Sequence, residues 1–206
     1  MAHVVGIYLY DDVEVLDFAG PFEVFSTAAR VKKRLEPGAP AAFQVFTLAE
    51  SLRPIQARGG LVVQPRFEIS DHPALELLLI PGGIVTAELQ REAVIGWIRR
   101  ISQSAQVTAS VCTGAFLLGK AGLLHGQSAT THWEDIADLR LMFPEIDVRS
   151  ERRWVEAGRV ITSAGISAGF DMSLHLVRRL EGQELAVRTA RQMEYDWDPT
   201  PGPSPS

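Results

Sequence analysis

The chain has 206 residues, 46% of them hydrophobic and 22% charged, which is the size and balance of one globular domain with a well-formed core. Its net charge of −5 and scattered lysines and arginines offer no basic patch for a polyanion, so no nucleic-acid partner is expected. A single cysteine, Cys112, excludes an internal disulfide framework and a multi-cysteine zinc site, and no apolar run reaches the ~18 residues that span a bilayer.

Met1-Ala2-His3 leads straight into an apolar stretch without the basic start and cleavage site of a signal peptide, so a cytoplasmic location and no membrane partner are expected. Residues 3–10 read as the first strand, and helical spacing over 22–34 predicts a helix whose start suits Pro21. Residues 43–48 form a second strand, and 56–64, with Gly59-Gly60 at the middle, predict a hairpin at a sheet edge. Further strands are expected at 75–80, 107–111 and 159–163, and several of the strands are apolar almost throughout, as strands covered on both faces must be. Helices are expected at 92–104, 114–121, 133–142, 168–180 and 184–193, with a second short antiparallel excursion at 147–155. This alternation predicts parallel βαβ units in a doubly wound, mostly parallel α/β sheet with helices on both faces. Residues 1–197 make one domain, and the Pro- and Ser-rich residues 198–206 a flexible tail.

Cys112 follows a buried-type strand directly, and Thr113-Gly114-Ala115 opens a helix. Strand, nucleophile and helix in this order make a nucleophile elbow at the carboxyl end of a sheet, where small neighbours let the backbone turn sharply. The helix that follows favours thiolate over thiol, which makes Cys112 a candidate nucleophile. A lone cysteine is also one of the residues most often used simply to fill a core.

Four ordered segments resemble the ThiJ/PfpI family of the class I glutamine amidotransferase-like superfamily. They are Asp17-Phe18-Ala19-Gly20-Pro21, Ile80-Pro81-Gly82-Gly83, the run from Ala109 through Cys112 to Leu124 with Thr131-His132 beyond it, and Ser163-Ala164-Gly165-Ile166. The resemblance implies a flavodoxin-like fold. Asp17 and Thr113 look most like two branches: the isonitrile hydratases and the amidase-like domain of AraC-type regulators. No histidine follows the cysteine, unlike in the peptidase branch, and with the chain ending soon after Met193 a helix-turn-helix module and direct control of DNA are not expected.

Asp17 is expected in the loop after the first strand, at the same sheet edge as Cys112. The resemblance makes it an acid and base beside the thiol; its plainer role is a helix cap. Gly82 and Gly83 let amides approach a ligand, and with the Thr113 N–H they can form an oxyanion hole, or they make an ordinary turn. The Thr113 hydroxyl can instead bond its own helix. In relatives the position of His132 lies at the pocket rim, where it can shuttle protons or simply pack. Gly165 and Ile166 can aim amides at the thiolate, or form a loop capped by Ser167. The histidines show no metal-ligand spacing, so neither metal nor cofactor is expected. The leading function is then a cofactor-free, cysteine-dependent hydratase or hydrolase of a small molecule, most like an isonitrile hydratase. The alternatives are a ligand- or redox-sensing module, or a glyoxalase or deglycase. The resemblance also implies a homodimer.

Overall fold

A computed structural model describes residues 2–200. Its strands are β1 (His3–Tyr8), β2 (Phe43–Ala49), β3 (Ile55–Gln56), β4 (Val62–Val63), β5 (Phe67–Glu68), β6 (Leu77–Ile80), β7 (Val107–Val111), β8 (Ser128–Ala129), β9 (Asp147–Val148), β10 (Trp154–Ala157) and β11 (Val160–Ser163). The helices are α1 (Val15–Leu35), α2 (Glu92–Ser104), α3 (Gly114–Lys120), α4 (Ile136–Met142), α5 (Ala168–Glu181) and α6 (Gln183–Gln192).

The central sheet has seven strands in the order β10-β11-β7-β6-β1-β2-β5, all parallel except β10, which runs antiparallel to β11. The four residues of β6 and all five of β7 are buried, so β6 is apolar throughout and β7, Val-Thr-Ala-Ser-Val, carries only the small polar Thr108 and Ser110 between its apolar residues. Helices α1, α5 and α6 pack on one another, and α2 packs on α3. Each fully buried Leu or Ile of these strands contributes roughly 1.5–3 kcal/mol. The chain passes from β1 to β2 on one side, then returns to β6 on the other. In an open α/β sheet the crevice beyond the carboxyl ends of strands at such a switch is where ligands bind.

The structure departs from the sequence-based expectations in local ways. Helix α1 begins at Val15, seven residues before the expected start, so Asp17 lies in its first turn rather than in a loop. Pro21 is inside the helix, where it removes one backbone hydrogen bond. The buried face Asp17, Phe18, Pro21, Val24, Phe25, Ala28 nevertheless continues without a break, so packing overrides the proline signal. The 56–64 hairpin is present as β3 and β4, but it forms its own small sheet instead of a sheet edge. Asp12 N donates to Gln56 O at 2.9 Å and Arg58 N to Val13 O at 3.0 Å, so the hairpin is held by the loop after β1. The 147–155 segment divides: β9 pairs parallel with β8, and only β10 is antiparallel. The expected tail begins against the fold, since Arg178 Nη1 donates to Pro199 O at 3.3 Å; residues 201–206 lie outside the described residues. Among the described residues no helix is long and apolar enough to cross a membrane.

Candidate active site

Cys112 leaves β7 with φ = 56°, a left-handed conformation that costs a non-glycine residue about 1–3 kcal/mol. Neighbouring backbone holds it there: Cys112 N faces Ser163 O at 3.2 Å and Ala164 O at 3.3 Å, and the Cys112 carbonyl accepts from Thr131 Oγ1 at 2.8 Å. The turn also needs empty space. A Cβ on Gly114 would sit 2.2 Å from Ile80 O, and one on Gly82 would sit 2.7 Å from Cys112 Cβ, so only glycine lets α3 and the β6 loop close around the thiol.

The loop after β6, through Gly82 and Gly83, ties Asp17 and Thr113 into one site. Gly82 N donates to Asp17 Oδ2 at 3.1 Å. Gly83 N donates to Thr113 Oγ1 at 2.9 Å, and that hydroxyl donates back to Gly83 O at the same distance. Thr113 therefore bonds across to the β6 loop rather than along its own helix. Both glycine amides are already used in building the site, which leaves the Thr113 N–H, beside the sulfur, as the donor next to the reacting atom. Asp17 is not a cap: the N-cap of α1 is Glu14, without a side-chain cap bond. Ser167 likewise makes no cap bond, and its Oγ accepts from Arg153 Nη2 at 3.4 Å instead.

Above the sulfur is a cleft of about 210 Å³ lined by Gly83, Cys112, Thr113, His132 and Ile166, together with Glu14, Arg58, Glu134 and Asp135. Asp17 is fully buried beneath it. Gly165 lies behind His132, whose ring is so close that a Cβ on Gly165 would come 2.1 Å from its Cδ2. His132 Nδ1 is 3.4 Å from Asp135 Oδ2 and 3.7 Å from Glu134 Oε2. Glu14 and Arg58 pair at 3.1 Å across the mouth. Sequence patterns gave no sign of Glu14, Arg58 or Asp135: Arg58 arrives on the hairpin, and only tertiary packing brings it over the first-strand loop. Tyr10 was missed too; its hydroxyl donates to Pro81 O at 3.1 Å and pins the start of the glycine loop. Among the described residues no group of three or more His, Cys, Asp or Glu side chains is arranged to hold a metal ion.

The electrostatics differ from those expected of an elbow alone. Burial pushes the Asp17 carboxyl up to about 7; the Gly82 N–H opposes this, the Glu14 charge adds to it, and the nearby thiol and Ile166 N–H pull it back. Asp17 Oδ1 has no hydrogen bond of its own, so thiol and amide act on it from beyond bonding geometry. Burial likewise pushes the Cys112 thiol up, the Asp17 charge reinforces it, and the Thr113 N–H and hydroxyl counter in part. The sequence-based expectation of a thiolate-favouring turn is thus corrected. Desolvation and a carboxyl neighbour outweigh a helix of only seven residues. Two neighbouring buried acids titrate together, and near neutral pH the pair retains a proton.

The DJ-1/PfpI family model matches residues 3–179. The isonitrile hydratase of Pseudomonas putida is 34% identical over 196 residues, covering 95% of this chain and 79% of the hydratase. The HTH-type transcriptional regulator GbdR of Pseudomonas aeruginosa is 27% identical over 193 residues, and there the match covers 93% of this chain but only 50% of the regulator. Among solved structures, a THiJ/PfpI family protein from Pseudomonas syringae superposes with a TM-score of 0.83 at 29% identity, covering 97% of this chain and 77% of that one. With the elbow, the glycine loop and the acid of the first helix in one crevice, the chain belongs to the DJ-1/PfpI family.

Proposed function

We propose that the chain is a cofactor-free hydratase that converts isonitriles to N-substituted formamides. The observation that carries this reading is the buried Asp17 carboxyl, pushed up to about 7 beside the only thiol, on an elbow that opens to a cleft. An isonitrile carbon needs a nucleophile and a proton, and this pair supplies both. Asp17 takes the thiol proton as sulfur bonds the terminal carbon, then delivers it to that carbon, giving a thioimidate. Water adds across the C=N bond, its oxygen to carbon and one proton to nitrogen. The C–S bond then breaks as the hydroxyl proton returns to sulfur, which frees the formamide and restores the thiol. The similarity to the Pseudomonas putida hydratase supports the same substrate class.

The similarity to transcriptional regulators favours a second reading, a ligand- or redox-sensing module. A panel of isonitriles, with methylglyoxal beside it, separates the readings. The hydratase reading expects formamide release that Cys112→Ser abolishes. Formamide release that persists in Cys112→Ser, or no turnover of any isonitrile, refutes it, and turnover of methylglyoxal alone would assign a glyoxalase.

A further inference from the structure

The cleft over Cys112, at about 210 Å³, is smaller than the ~300–1,000 Å³ that ligand pockets usually occupy, so it accepts a reacting head group and little more. Beside it is a separate pocket of about 610 Å³ lined by Trp133, Ile166, Ala164 and Ala168, with Ser150 and Arg153 at its polar side. His132 and Ile166 line both spaces. Trp133 is 69% exposed and Ile166 40%, although neither is needed in the core. We propose that this pocket is the subsite for the apolar substituent of the Cys112 substrate, with Trp133 and Ile166 as its specificity-determining side chains; the assignment rests on the hydratase reading.

The charges around both spaces fit an uncharged substrate. Glu14, Glu134 and Asp135 line the cleft against the single guanidinium of Arg58, which pairs with Glu14 at 3.1 Å, and the remaining carboxylates repel an anionic head. The one cation of the larger pocket, Arg153, is committed to the buried Asp171, its Nε donating to Oδ2 at 2.5 Å, and Tyr195 holds the other Asp171 oxygen at 3.0 Å. The pocket therefore offers an apolar wall and an aromatic face, which favour alkyl or aryl groups. A third space, of about 430 Å³ and bordered by Ile84, Phe116 and Leu141, also meets the cleft. Its passage runs past Gly83, Thr113 and Asp135, where the double hydrogen bond of Thr113 to Gly83 and the Asp135 carboxyl present polar groups to a tail. On the other side the divider is the Ile166 side chain together with the His132 ring, so an apolar chain crosses there against an aliphatic side chain.

The test compares benzyl isonitrile with methyl isonitrile. Trp133→Ala should raise the ratio of the two KM values about 10-fold, the order that a lost apolar contact contributes to discrimination. Ser150→Trp, which fills the far side of the pocket from an exposed turn, should raise it as well. An unchanged ratio in both variants, or a larger change in Leu141→Ala, overturns the assignment. A binding measurement needs no turnover: N-benzylformamide should bind Cys112→Ala protein about 10-fold more tightly than the Cys112→Ala, Trp133→Ala double variant. If no isonitrile is turned over yet this difference appears, the reaction is wrong and the pocket stands; equal binding sinks the pocket alone. Conversion of a dimer to a monomer by Trp133→Ala in light scattering also overturns it, because the pocket would then be covered by a second copy.

Discussion

Asp17→Asn keeps the shape of the buried side chain and removes its ability to ionise. In the folded protein the carboxyl sits at about 7 against an ordinary 3.8. At about 1.4 kcal/mol per pH unit, this difference is worth roughly 4 kcal/mol. The native state binds the proton more tightly than the unfolded chain, so this stability is fully present below about pH 4 and is lost as pH rises through 7. The Asn variant has no such loss. Its amide must still place one N–H₂ near the Gly82 or Ile166 N–H, an unmet polar contact of about 1–3 kcal/mol. The variant should accordingly be a few kcal/mol more stable than wild type at about pH 8, with the advantage gone or reversed near pH 4.5. Single-turnover hydration should fall by about 10²- to 10⁴-fold in the same protein, because the proton carrier is missing. Urea unfolding of both proteins at the two pH values, with single-turnover rates on the same samples, measures each effect. A variant whose pH dependence of stability matches wild type contradicts the raised carboxyl, and a wild-type rate contradicts its role in proton transfer.

Two further perturbations probe the elbow. Since burial and the Asp17 charge both push the Cys112 thiol up, iodoacetamide labelling followed by mass spectrometry should show a midpoint above the ordinary ~8.5, and Asp17→Asn should bring it down; a midpoint below 8.5 in wild type would restore the thiolate-favouring turn. Gly114→Ala drives a methyl toward Ile80 O and should cost about 3 kcal/mol or more in urea unfolding, whereas a loss under about 1 kcal/mol would mean the elbow has room to shift.

The parallel sheet and the elbow were legible in the sequence because they depend on local signals: short strand-like runs such as 75–80 and 107–111 between segments of helical period, and glycine and alanine at 114 and 115 after Cys112. The start of α1 was not, because Pro21 is a local stop signal that the buried stripe from Asp17 to Ala28 overrides through tertiary packing. The residues around the thiol divide in the same way. Cys112, Asp17, Thr113 and the glycines were readable as segments that end at one sheet edge. Glu14, Arg58 and Asp135 reach the cleft from a helix end, a hairpin and a 3-10 turn whose sequences carry no chemical pattern. The protonation of the pair was misjudged for a related reason. A helix start after the cysteine is visible in sequence, but the depth at which thiol and carboxyl are buried together is not.

That depth bears on what the thiol is suited to do. A redox sensor gains from a thiol that is ionised at rest and open to small oxidants. Here sulfur and carboxyl each resist ionising, and together they hold a proton at neutral pH. Such a pair is slow as a free nucleophile, yet it suits a substrate whose carbon must gain a sulfur bond and a proton in close succession. The Asp17 base, near 7, can accept a proton from the thiol during attack and release it again at the same pH. The Thr113 hydroxyl is fixed by two bonds to Gly83, so the N–H beside the sulfur stays in place through the exchange. The arrangement thus trades resting reactivity for proton delivery, which is what the proposed hydration asks of the Cys112 site.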